Sequence, residues 1–174
     1  MNVPSDDAVI RPASRADLAQ VAEIFAHYVT HSVATFETDP PTAADWRAKL
    51  DTAASLGLPF LVATFGDAVA GYAYASSWRP KLAYRHTVED TVYLAPGATG
   101  RGLGRALLAE LLARAGQAGA RQMVAVIADA GAESAASVAL HRAAGFAHVG
   151  TLTAVGHKHG RWIDTLLMQR ALTA

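Results

Sequence analysis

Between residues 99 and 105 the chain reads Thr-Gly-Arg-Gly-Leu-Gly-Arg, and no other stretch narrows the possible folds as much. Before it stands Thr87–Leu94 (TVEDTVYL), whose β-branched and aromatic residues predict a strand, broken by Pro96-Gly97. After it, Leu107, Leu108, Leu111 and Leu112 recur at helical spacing. A strand-to-helix junction rich in glycine lets a ligand come close to the backbone, and the first amides of the helix have no internal partners. Those amides of Gly100, Arg101, Gly102, Leu103, Gly104 and Arg105, at the positive end of a helix dipole, suit a pyrophosphate. Arg101 and Arg105 add charge. A plain turn before a helix has the same composition, so the run alone leaves both readings open. It is not the dinucleotide fingerprint, because Leu107 stands where a third glycine would be. It also lies in mid-chain after a hairpin, not after the first strand of a βαβ unit.

The remaining elements follow from periodicity and caps. Val9 to Pro12 predicts a strand. Ser14 and Asp17 open a helix carrying Leu18, Val21, Ile24, Phe25 and Val29. Thr35 to Pro41 reads as a loop, and Thr42 with Asp45 starts a second helix to about Leu56. Phe60–Phe65 and Val69–Trp78 form a hairpin about Gly66-Asp67, followed by a basic, aromatic loop to Arg85. Gln122–Ile127 is a strand and Ser134–Ala144 a helix closed by Gly145. Strands at Phe146–Val155 and Trp162–Gln169 end the chain. The predicted order is β-α-α-β-β-β-α-β-α-β-β, a mixed α/β (α+β) sheet in a single domain over 1–174, with a flexible tail over 1–8.

Composition excludes several functions. Hydrophobic residues make up 52% and charged residues 17%, a folded rather than disordered profile. Lys+Arg and Asp+Glu both number 15, so no broad basic surface for nucleic acid is expected. There is no cysteine, hence no disulfide and no thiolate site. The acidic N-terminus lacks an apolar leader, and no apolar run reaches a membrane span, so a cytoplasmic location is expected. His27 with His31 and His157 with His159 lack a third ligand nearby, and no metal is expected.

Candidate chemistry gathers near the predicted strand at 87–94. Alternation puts Glu89, Thr91 and Tyr93 on one face and Val88, Asp90, Val92 and Leu94 on the other. Glu89 is either a general base or a surface carboxylate paired with Arg85 or His86; Asp90, on the apolar side, reads as a hydrogen-bonded structural acid. Ser134 and His141 lie seven residues apart, about two turns along one helix face. Arg79 and Lys81 bracket a proline and lead through Leu82 and Ala83 to Tyr84, either as solvated charges or as a carboxylate clamp.

The glycine run resembles the acetyl-CoA pyrophosphate motif Q/R-x-x-G-x-G/A of the GNAT acetyltransferases, with Gly102 and Gly104 as its glycines and Thr99 departing from its first position. The blocks TFETDPPT, GYAYASSWRP, AYRHTVEDTVYL, GRGLGRALL, RQMVAVIAD, ALHRAAGF and GRWIDTLLMQ resemble, more narrowly, the phosphinothricin and methionine-sulfoximine N-acetyltransferases. That resemblance covers nearly the whole chain. It implies acetyl-CoA as co-substrate, transfer to the amine of a small amino-acid-like molecule, Glu89 as base and His141 as acid for the departing thiolate. It further implies that the backbone of Val92, Tyr93 and Leu94 pairs with the pantetheine arm, and that Ser134 stands where the family has a CoA-contacting Asn. Phe36, Tyr74, Arg79, Lys81, Leu82, Ala83 and Tyr84 would then surround the substrate. A homodimer is implied too, with the Val155–Trp162 loop closing the neighbour's pocket. Acetylation of a protein N-terminus or lysine, and acyl-CoA binding without catalysis, are the competing functions.

Overall fold

The computed structural model describes residues 8–172, so the expected tail lies, apart from Ala8, outside the described residues. One seven-stranded sheet runs through them in the order β1-β2-β3-β4-β5-β7-β6. Its strands are β1 (Val9–Pro12), β2 (Phe60–Phe65), β3 (Ala68–Ser77), β4 (Thr87–Leu94), β5 (Gln122–Asp129), β6 (Ala147–Lys158) and β7 (Arg161–Ala171). The helices are α1 (Leu18–His31), α2 (Ala43–Ser55), α3 (Leu103–Gln117) and α4 (Ala135–Ala143). The element order is the one that the periodicity predicts. No described helix is long and apolar enough to cross a membrane.

Local chemistry sets the helix starts. Thr42 accepts from the Asp45 amide while the Asp45 carboxylate accepts from the Thr42 amide and hydroxyl, a reciprocal cap on α2. Before α1, Asp17 accepts from the Ser14 amide and takes both ends of the Arg11 guanidinium at 2.9 and 2.8 Å. The hydrogen bond from Arg11 is the main reason its carboxyl is pushed down to about 2. That pair ties the first strand to the first helix.

Each face of the sheet is closed by a different helix pair. On one side Leu107, Leu108 and Leu111 of α3 bury against Leu61, Ala73, Ala75, Val88 and Met123. On the other, Val21, Ile24 and Phe25 of α1 and Trp46 of α2 bury against Phe60, Val62 and Tyr72. Burying one such side chain is worth about 1.5–3 kcal/mol, so these two layers hold the strands of the N-terminal half in place.

Among the described residues the only parallel pairing is β4 with β5, and it spans Thr87–Glu89 against Gln122–Val124. Beyond it the strands part: β5 continues to Asp129 paired with β7, while β4 continues to Leu94 paired with β3. The C-terminal hairpin differs from expectation. Strands β6 and β7 run to Lys158 and from Arg161, so Val155–Trp162 is the closed end of a hairpin and not an open loop. His159 and Gly160 both have positive φ (50° and 71°), the two-residue turn that matches the twist of paired strands. A bulge stood in the way of seeing this. Thr153, Ala154 and Val155 lie between Leu152, opposite Thr165, and Gly156, opposite Ile163, and the Ala154 amide donates to Asp164 Oδ1 at 2.7 Å.

Candidate active site

The parting of β4 from β5 leaves backbone groups without a strand partner in the interior of the sheet. Trp78 N–H donates to Thr87 O and Ala95 N–H to Ala70 O, which fixes the hydrogen-bonding phase of β4. Thr87, Glu89, Thr91 and Tyr93 therefore turn their backbone groups to β3, and Val88, Asp90, Val92 and Leu94 turn theirs to the β5 side. Past Glu89 that side is open. Val92 and Leu94 offer their amides there as an edge to which an extended chain can add. Tyr93, expected with them, has its amide engaged with β3. The reason is the two-residue period of an antiparallel ladder, which cannot send three successive amides to one edge. The Leu94 carbonyl already accepts from Tyr28 Oη at 2.7 Å, which braces the end of the strand.

At the end of β4 the glycine run turns into α3. Gly100 and Gly102 are left-handed (φ 75° and 78°), and Gly102 is the cap residue of the helix. The first backbone bond of this junction runs from Ala106 N–H to the Gly102 carbonyl, so the amides of Leu103, Gly104 and Arg105 precede the ladder. The Leu103 side chain is buried with Ala70 and Ala98, which anchors the turn from beneath. Arg101 lies over the Phe65 ring, 4.4 Å from its centroid. Open strand edge and free helix amides thus lie at the two ends of one path, which fits an extended arm ending in a pyrophosphate.

Glu89 sits at the other end of that edge, five residues before Leu94, or about 17 Å along the strand. It is half-buried, and burial first, then the neighbouring Asp90 charge, pushes its pKa above the ordinary carboxylate value; the Arg79 guanidinium opposes this. A carboxyl so raised is a stronger base toward an ammonium than a solvated one. Arg79 stacks on Trp78 at 4.6 Å, which holds its charge at this end of the strand. Tyr74, opposite Thr91, lies on the same sheet face as Glu89 and packs against Phe60 at 4.9 Å. Lys81, Leu82, Ala83 and Tyr84 are exposed on the β3–β4 connection; Leu82–Tyr84 is a short 3-10 turn, with Leu82 77% and Tyr84 44% accessible. Phe36 is 39% accessible and rests on the backbone of Gly156.

Two expected residues face elsewhere. His141 is buried, with Nε2 2.8 Å from Asp90 Oδ2 and Nδ1 2.7 Å from the Ser137 carbonyl. A ring that donates to both acceptors carries both protons. Burial alone lowers its pKa, but the Asp90 hydrogen bond and charge raise it above the usual histidine value. Its N–H is therefore given to Asp90 and not presented to the cleft. Asp90 Oδ1 is buried with no hydrogen-bond partner. Ser134, expected to touch the cofactor, is also turned inward. Its Oγ lies 3.1 Å from Asp129 Oδ1 and 3.0 Å from the Gly131 carbonyl, and accepts from the Ala130 amide. A hydroxyl at the start of a short helix closes its own loop first, because those groups are nearest. Among the described residues no three His, Asp or Glu side chains gather as a metal site would require.

Residues 10–167 match the family model described as an acetyltransferase (GNAT) domain. The chain is 46% identical over 165 residues to a phosphinothricin N-acetyltransferase of Alcaligenes faecalis, covering 95% of this chain and 83% of the relative. It is 38% identical over 163 residues to an L-methionine sulfoximine/L-methionine sulfone acetyltransferase of Salmonella typhimurium, covering 94% of both. A phosphinothricin acetyltransferase of Sinorhizobium meliloti, solved in complex with acetyl-CoA, superposes with a TM-score of 0.89 at 48% identity, covering 95% of this chain and 88% of that one. With the split sheet and the glycine turn in the same chain, the conclusion is plain: this protein belongs to the GNAT acetyltransferases.

Proposed function

We propose that this acetyl-CoA-dependent N-acetyltransferase, acting as one domain, acetylates the α-amine of an amino acid or close analogue of the phosphinothricin, methionine sulfoximine or methionine sulfone type, with Glu89 as base. The observation that carries this is the meeting of a half-buried, raised carboxyl and the Arg79 guanidinium at one end of the open β4 edge. The names of the two relatives support the acceptor class. Acetyl-CoA supplies an activated acyl group as a thioester. Glu89 takes the proton that an ammonium must lose before it can attack. Arg79 grips a carboxylate with two parallel hydrogen bonds and so fixes the amine in one orientation. Lys81, Tyr84 and Tyr74 complete the acceptor end. A thiolate leaves acceptably without an acid, so the step makes no demand on His141, whose Nε2 is held by Asp90.

Arg79→Ala separates this from the competing acceptors. The KM for an amino acid is expected to rise at least tenfold, the weight of one charged hydrogen-bonded contact, and the KM for its carboxamide far less. If the variant treats acid and amide alike, or the wild type prefers a peptide N-terminus or lysine, the amino-acid assignment is wrong. Acetyl-CoA binding without turnover on any amine would leave a binding module.

The same reading includes a homodimer. Strand β6 is one of the two edges of the sheet among the described residues, and its hairpin exposes Val149, Leu152, Val155 and Trp162, the last 70% accessible. Aromatic and aliphatic groups on an unpaired edge are otherwise an aggregation hazard. Light scattering should give about twice the chain mass of 18.2 kDa; a monomer at assay concentration removes the dimer.

A further inference from the structure

Three consecutive residues of the α1–α2 connection fasten it to both halves of the parted sheet. The Ala34 carbonyl accepts from Tyr93 Oη on β4 at 3.1 Å. The Thr35 carbonyl accepts from Lys158 Nζ on β6 at 2.8 Å, and Lys158 is buried with no carboxylate partner among the described residues. The Phe36 ring lies on Gly156, also on β6; a Cβ there would come within 3.0 Å of three of its ring atoms. Gly156 has no left-handed backbone that would itself call for glycine. What the position requires is room for Phe36.

The register fixes which side this strap crosses. Glu89 pairs with Val124, Val124 with Gln169, and two-residue steps along β7 lead to Ile163, whose partner is Gly156. Gly156 therefore faces the same side of the sheet as Glu89 and Tyr74. The strap runs over that face from the strand bearing Glu89 to the hairpin beyond the gap.

We infer that Gly156 and Lys158 are positioning residues that seat Phe36 over the Glu89-bearing face of the parted sheet and so set which side chains an acceptor amino acid can carry. This rests on the proposed acceptor site. Phe36 is partly exposed and its ring is the movable partner, so Gly156→Ala displaces the ring and leaves the sheet intact.

The test uses whichever amine the wild type acetylates best among methionine sulfone, phosphinothricin and free amino acids. Gly156→Ala is expected to raise the amine KM about tenfold or more, since an ångström of misplacement is costly, with the acetyl-CoA KM unchanged. In a Phe36→Ala background the same change should have no further effect, because the ring it displaces is gone. Lys158→Met should raise the amine KM and speed amide hydrogen exchange at residues 33–38, and Lys158→Arg should restore both in part. An unchanged amine KM in Gly156→Ala, an equal penalty with and without Phe36, or a parallel rise in the acetyl-CoA KM overturns the inference. So does faster exchange in Lys158→Met with the amine KM unmoved. A wild type that acetylates only non-amino-acid amines refutes the acceptor class instead, and the variants are then read on that amine.

Discussion

Glu89→Gln lowers turnover by about 10²–10⁴-fold while acetyl-CoA still binds. The substitution keeps shape and polarity and removes only the capacity to take a proton. Because burial and Asp90 hold the Glu89 pKa above the ordinary carboxylate value, the wild-type rate is expected to show an acidic limb. The base is active when ionised, so activity is lost as pH falls through that raised pKa and regained as pH rises above it. The limb should vanish in the variant, whose residual rate then follows only the ionisation of the amine. A steady-state profile of kcat/KM for the amine between pH 5 and 9 decides the matter. Near-normal turnover with the limb intact would remove Glu89 from the mechanism.

Gly102→Val weakens acetyl-CoA binding by about tenfold or more. A left-handed residue with a Cβ costs roughly 1–2 kcal/mol, and a β-branched one more, so the turn shifts toward an ordinary conformation. The amides of Leu103, Gly104 and Arg105 then no longer point as a set, and whatever they hold loses several charge-assisted hydrogen bonds together. The Gly102 position itself is unobstructed, so the effect is conformational and not a packing clash. Calorimetry with CoA is the direct measurement, with circular dichroism to show that α3 persists. Unchanged affinity in a folded variant would sink the assignment of this loop.

What was legible in the sequence is what local physics determines. Capping boxes at Ser14 and Thr42, alternation at 87–94 and the leucine spacing of α3 each depend on residues within one or two turns of each other, and each reads correctly. The glycine run was legible for the same reason. The site's long-range terms were not. His141 meets Asp90 across 51 positions, and nothing local to either says that the pair consumes the histidine N–H. The inward turn of the Tyr93 amide depends on the register of β4 against β3, set by the hairpin before it. The hairpin end at 155–162 has the local pattern of an open loop, because a bulge and the His159-Gly160 turn interrupt its alternation, and nothing local marks Gly156 or Lys158.

The three-residue contact between β4 and β5 has a further consequence for how the molecule endures. A sheet normally owes its cohesion to its own ladders, but here the middle rungs are left for a metabolite to fill. Any ligand that binds only the folded chain adds RT ln(1 + [L]/Kd) to its stability, about 2.7 kcal/mol at a hundred times Kd. Acetyl-CoA bound across the seam would add to the stability of the fold in this way. The thermal midpoint of the protein is then expected to rise with acetyl-CoA concentration.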